Sequence, residues 1–211
     1  MSEVFDWARE ENLQPAPITM DIWKKLPEDF CRLVEVVNGE AVRAEAPLRT
    51  HQNAGRRLAD LLDAAAEAHM AKYPETCLDV STDFDMSLWE LPRLTIRRPD
   101  VALYECVPGE LRPLPASKVK LVVEIVSPGS EHVDTADKLA EYALAGIPWY
   151  WIVRIVDNDV VSIKTHVLDH VLGQYRPHVE WEPAAPSDTQ VVIDLPIRVQ
   201  LDWTRLRGLV R

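Results

Sequence analysis

The stretch LVVEIVSPGSEHVDTADKLAEYALAGIPWYWIV, Leu121 to Val153, decides the fold. Its first six residues form a short, nearly all-apolar run, the pattern of a strand covered on both faces. From about Asp134 the pattern turns helical, and Gly146 and Pro148 stop it. WYWIVRIV (149–156) is β-rich again. A strand–helix–strand unit therefore covers 121–155, with a right-handed crossover if its strands are parallel. Glu124 interrupts the first strand. Alternation puts it on one face with Val122 and Val126, and both faces are otherwise apolar. An unpaired ionised carboxylate there would cost several kcal/mol or move its pKa upward. A metal, a lysine or a proton must compensate. A buried salt bridge or a sheet-edge position is the plainer alternative.

Upstream, CRLVEVVNGEAVRAEA (31–46) reads as a hairpin about Asn38-Gly39, since a type I′ turn needs positive φ at both central residues. Thr50 can cap a helix to about Lys72, with Ala54, Leu58, Leu61, Leu62 and Ala65 at helical spacing. Segments 78–88 and 94–105 read as strands, the second containing Pro99-Asp100. Downstream, Asp157-Asn158-Asp159 turns the chain into VVSIKTHVL (160–168). The tail offers two more short strands and a turn of helix at 202–208. The first thirty residues read as a short acidic helix, a Pro-broken link (Gln14 to Pro17) and a small helix. Thr19 or Asp21 would cap that helix and Pro27 would end it. The order predicts an α/β (α+β) fold: a mixed central β-sheet flanked by helices, with an N-terminal hairpin. Residues 1–17 form an acidic extension and 18–211 a single domain.

Composition removes several function classes. The 211 residues are 47% apolar and 27% charged, enough for a filled core. Thirty-four acids against 23 bases give a net charge of −11, which opposes a surface that coats nucleic acid or anionic lipid as a whole. Cys31, Cys77 and Cys106 are odd in number, widely spaced and without a C-x-x-C pair. Neither a disulfide framework nor a structural zinc site is expected, and a reducing cytoplasm fits best. No signal peptide opens the sequence and no apolar run approaches the ~18 residues of a membrane span. No glycine-rich phosphate loop is present.

The remaining candidates are scattered. Asp100 follows Pro99 on a β-rich segment, 24 residues before Glu124. Glu35 is another acid in an apolar strand, LVEVV. Lys138 shares a helix face with Asp134 and Tyr142, and Asp134–Lys138 could equally be a surface i,i+4 pair. Three acids on three strands and one lysine would suit a hard cation such as Mg²⁺ or Mn²⁺. His51 could contact a phosphate. His132 and His166 have no partners at metal-ligand spacing. Ser127 lies in IVSPG, outside any G-x-S-x-G elbow. Cys31 and Cys106 read as core, as do Trp149 and Trp151.

RRPDVALYE (97–105), LVVEIVSPGS (121–130) and DTADKLAEYALAGIPWYWIV (134–153) resemble the Uma-two family of restriction-endonuclease-like proteins, within the PD-(D/E)XK nuclease superfamily. VVNGEAVRAEAP and His51 extend the resemblance, which covers roughly residues 18 to 206. It implies metal-dependent hydrolysis of DNA phosphodiesters. Carried over by position, Asp100 and Glu124 take the two motif acids. The lysine position of the motif is Val126 here, and Lys138 on the following helix supplies the lysine instead. Glu35 takes the acid of the first hairpin. Asp100, Glu124 and the Ile125 backbone carbonyl would hold Mg²⁺ or Mn²⁺. Where the family has Asp-Pro after Y-W-I-V, this chain has Arg154-Ile155.

Charge is uneven. Residues 91–120 carry six bases and three acids, net +3, while the first 47 carry ten acids and five bases, net −5. Arg97, Arg98 and Lys120, with His51, are thus the candidate DNA contacts, and DNA is the expected partner. Three rival readings stand: a catalytically silent binding module of the same fold, a metal-independent carboxylate-pair hydrolase, and an assembly protein. In the last, the WYWIV strand could serve a homodimer.

Overall fold

The computed structural model describes residues 16–44, 47–126, 134–183 and 190–210. Most of the acidic extension, Ser127 and His132 lie outside these residues. The chain opens with α1 (Met20–Trp23), α2 (Glu28–Cys31), β1 (Val34–Val37), β2 (Glu40–Arg43) and the long α3 (Arg49–Lys72). Then follow β3 (Leu78–Thr82), β4 (Met86–Trp89), β5 (Thr95–Arg97), β6 (Val101–Glu105), β7 (Leu114–Pro115) and β8 (Val119–Val126). The helix α4 (Asp134–Leu144) leads to β9 (Trp149–Val156), β10 (Asp159–Asp169) and β11 (Gln174–Trp181). The tail adds β12 (Gln190–Ile193), β13 (Val199–Asp202) and a 3₁₀ turn at Trp203–Leu206.

Three sheets result. The largest has the order β11-β10-β9-β8-β6-β3, and β8–β9 is its parallel pair, as the helical crossover α4 requires. A five-stranded sheet runs β2-β1-β5-β4-β7, and β12–β13 forms a ribbon. The mixed α+β fold is the one expected. Alternation along β8 divides the core. Leu121, Val123 and Ile125 join Leu58, Leu61 and Leu62 of α3 and the apolar residues of β13. Val122 joins Tyr142 and Ala143 of α4 with Met86 and Leu114 of the smaller sheet. Each fully buried leucine contributes about 1.5–3 kcal/mol. A third cluster, Trp23, Cys31, Val36, Leu94 and Ile96, seats the N-terminal helices.

The Asn38-Gly39 turn forms as expected, with φ of 51° and 81° between the paired Val37 and Glu40. Thr19 caps α1, its side chain accepting from the Ile22 N–H. A Cβ at Gly39 would sit 2.7 Å from the Pro17 Cβ. Gly39 also donates its N–H to the Leu94 carbonyl at 2.8 Å. Gly39→Ala is therefore expected to destabilise the chain by about 1–3 kcal/mol, read from urea unfolding. An unchanged midpoint would show that the turn opens at no cost.

Several expectations need correction. Segment 78–88 is two strands in different sheets, because Asp83, at φ 50°, turns the chain out of β3 before β4. Segment 94–105 divides likewise between β5 and β6. β11 is an additional strand in the tail. Thr50 lies inside α3, which starts one residue earlier, at Arg49. Cys77 and Cys106 are joined by a disulfide. They flank Leu78 and Glu105, which pair across β3 and β6, so the register brings residues 29 apart to a Cα–Cα distance of 5.3 Å. Cys31 is free and buried. The WYWIV strand lies inside the large sheet, with Tyr150, Trp151 and Val153 buried. Among the described residues no helix is long and apolar enough to cross a membrane.

Candidate active site at the ends of β6 and β8

Val101 pairs with Val123 across the β6–β8 ladder, so Asp100 and Glu124 face each other just beyond it. Pro99 disfavours helical backbone before Asp100, and the chain enters β6 extended. Asp100 Oδ2 accepts the Ile125 N–H at 2.6 Å. His51, in the first turn of α3, places Nε2 3.3 Å from that same oxygen and 3.0 Å from the Ile125 carbonyl. Two acceptors on one nitrogen require the proton on Nε2. Burial pulls the His51 pKa down, but the hydrogen bond and charge of Asp100, with the Ile125 carbonyl, raise it overall.

Glu124 is 6% exposed and is held from α4. Lys138 Nζ lies 3.2 Å from Oε2, and the Tyr142 hydroxyl donates to Oε1 at 2.6 Å. The i,i+4 spacing puts both donors on one helix face. Burial pushes the Glu124 carboxyl up to about 7; the charges of Asp100 and Glu35 add to this, and Lys138 and Tyr142 oppose it. Lys138 thus reaches the β8 acid from the following helix. Burial, then the charge of Glu124, raises the Tyr142 pKa.

The other candidates are held in ion pairs away from this cluster. Glu35 Oε2 accepts from Arg97 Nη1 at 2.8 Å and Oε1 accepts from the Arg98 N–H at 2.8 Å. Arg97, 6% exposed, also grips both oxygens of Glu141, at 2.6 and 3.0 Å. Arg98 and Arg112 share Asp85, itself 1% exposed, and Arg98 donates to the Cys31 and Arg32 carbonyls. Lys120 pairs with Glu105 at 2.6 Å, and Lys118 joins them. Glu105 closes β6 at the end away from Asp100. The structure thus brings together Asp100, Glu124, Lys138, His51 and the Ile125 carbonyl. It sets Lys120 apart and sets Arg97 and Arg98 into ion pairs. The basic excess of 91–120 is mostly neutralised by acids from elsewhere in the chain.

Sequence reasoning did not single out Glu141, Asp83 or Asp85. Glu141 was legible as a neighbour of Lys138 at i+3. Asp83 raises no signal of its own, yet burial and the charge of Asp100 raise its pKa while His51 and Arg98 lower it. It therefore belongs to the same electrostatic environment.

The donor chemistry fits a hard cation. Asp100, Glu124 and the Ile125 carbonyl are all oxygen donors. Asp100 Oδ2 and the Ile125 carbonyl already converge on one proton, that of His51. Glu124, by contrast, is turned to Lys138 and Tyr142, and among the described residues no three His, Cys, Asp or Glu side chains form a ready metal cluster.

A family model described as "Uma2: Putative restriction endonuclease" matches residues 25–198. The chain belongs to this family. The match spans every residue of the site described above. Among solved structures the chain is similar to one titled a putative nuclease belonging to DUF820, from Anabaena variabilis, with a TM-score of 0.61 at 15% identity. The similarity covers 92% of this chain and 99% of that one, and it shows a shared fold. No curated protein sequence matches.

Proposed function

We infer that this chain is a divalent-cation-dependent endonuclease that hydrolyses DNA phosphodiesters. One observation carries the reading: Asp100, the Ile125 carbonyl and the Glu124–Lys138 pair meet at the ends of two neighbouring strands. Membership of a family described as a restriction endonuclease supports the same reaction class. Asp100, Glu124 and the Ile125 carbonyl would hold Mg²⁺ or Mn²⁺. When bound, the ion offsets the charge that builds on the phosphoryl oxygens. Lys138 would orient the attacking water from the α4 face that meets Glu124. His51 keeps its Nε2–H on Asp100 and the Ile125 carbonyl and, charged more readily than an ordinary histidine, adds positive charge beside the site for a phosphate. Glu35 keeps both oxygens on Arg97 and Arg98 and acts by support instead of ligation.

The test incubates purified protein with supercoiled, linear and single-stranded DNA in Mg²⁺, Mn²⁺ or EDTA. Cleavage is expected with either metal and none with EDTA. Cleavage that survives EDTA would replace this reading with a metal-independent hydrolase. A second reading, a binding module without turnover, is favoured by the two bonds that already occupy Glu124. DNA retention without cleavage on any substrate would select it.

A further inference from the structure

We propose that Arg97 and Glu141 form a positioning clamp that sets α4 against the sheet, so that Lys138 meets Glu124, and that Glu35 belongs to this clamp. The proposal rests on the nuclease reading for its effect on turnover, but its geometry stands independently. Lys138, Glu141 and Tyr142 lie at i, i+3 and i+4 on α4 and all face the sheet. Two reach Glu124 on β8. The third, Glu141, is taken by both Nε and Nη2 of Arg97 on β5. The remaining arm of Arg97 holds Glu35 on β1, whose second oxygen accepts the Arg98 N–H. One guanidinium thus ties together the hairpin, the smaller sheet and the helix that carries the lysine.

Stability alone does not call for such a group, because apolar residues of similar volume often serve a buried site equally well. Orientation does. The apolar underside of α4, Leu139 and Ala143 with Tyr142, packs against the core but is tolerant of small shifts. A fork that meets both carboxylate oxygens fixes distance and angle together. Displacement of a reacting group by about 1 Å can cost about 100-fold in rate. Arg97 and Glu141 are therefore positioning residues that act through Lys138.

Glu141→Ala tests the clamp, because Arg97 keeps Glu35 and the buried cation stays paired. Asp137→Ala is the control: it removes the same charge from the same helix at an exposed position. The first readout is the acetylation rate of each lysine by acetic anhydride, followed by mass spectrometry. In the wild type Lys138 should react at least about tenfold more slowly than the exposed Lys24 and Lys25. Glu141→Ala should raise the Lys138 rate at least about fivefold with unchanged circular dichroism, and Asp137→Ala should leave it alone. The second readout is cleavage: kcat should fall about 10–100-fold with KM for DNA held within about twofold. Glu141→Gln, which keeps shape and one acceptor, should recover part of both effects and covers the case in which the alanine variant does not fold. Wild-type labelling of Lys138 in Glu141→Ala and Glu141→Gln, or an equal response in Asp137→Ala, would overturn the clamp. A wild type that does not cleave while Lys138 labelling responds as stated would remove the nuclease reading and leave the clamp in place.

Discussion

Asp100→Asn and Glu124→Gln proteins should each keep the fold and lose metal-dependent cleavage by roughly 1000-fold or more. Both changes are isosteric. The asparagine side chain would still offer an oxygen to the Ile125 N–H, and the glutamine side chain an oxygen to the Tyr142 hydroxyl. What disappears is the negative charge that a cation and Lys138 require. Cleavage of supercoiled DNA, followed over time beside the wild type, reads the loss. Activity within tenfold of the wild type in either variant would remove that acid from the site. Glu124→Gln carries a second signature. The folded-state pKa of Glu124, about 7, lies above its ordinary 4.5, so between these values the folded protein holds a proton that the unfolded chain has lost. Stability is therefore full below about 4.5 and declines as pH rises through about 7, by roughly 3 kcal/mol. Urea unfolding at pH 5 and pH 8 should show this fall in the wild type and its absence in Glu124→Gln.

Arg97→Met should destabilise the chain by about 3–5 kcal/mol. Its guanidinium stands between two carboxylates whose side chains are only 12% and 17% exposed, those of Glu35 and Glu141. Methionine fills the volume and leaves both acids without their partner. In a chain of this length such a loss lowers the melting temperature by roughly 10 °C. The triple variant Glu35→Gln, Arg97→Met, Glu141→Gln should recover much of that loss, since no unpaired charge then remains. A melting temperature for Arg97→Met within about 2 °C of the wild type would show that water reaches the fork.

Local chemistry announced much of this molecule. Asn38-Gly39 marked its turn, the apolar run about Glu124 marked a strand covered on both faces, and Gly146 and Pro148 marked the end of α4. Lys138 and Tyr142 were legible as neighbours, and the acid they serve as an acid in need of a partner. Contacts between residues distant in sequence were not legible. Nothing near Arg97 indicates that it meets Glu35, 62 residues upstream, and Glu141, 44 downstream. An arginine in a basic stretch suggests a surface, and only the meeting of β1, β5 and α4 buries it. Asp85 takes up Arg98 in the same way and also pairs with the half-buried Arg112. The disulfide follows from register, which spacing does not reveal. β11 contains Pro177 and exposes most of its residues, so it lacks the alternation that identifies a half-buried strand.

Glu124 and Ile125 are adjacent, yet they serve the site from different supports. The Ile125 backbone meets Asp100 and His51, which rest on β6 and α3, whereas the Glu124 side chain meets Lys138 and Tyr142, which rest on α4. One peptide unit is therefore the joint between two workshops. The support of Asp100 and the setting of the lysine can thus be altered separately, by changes in different parts of the chain.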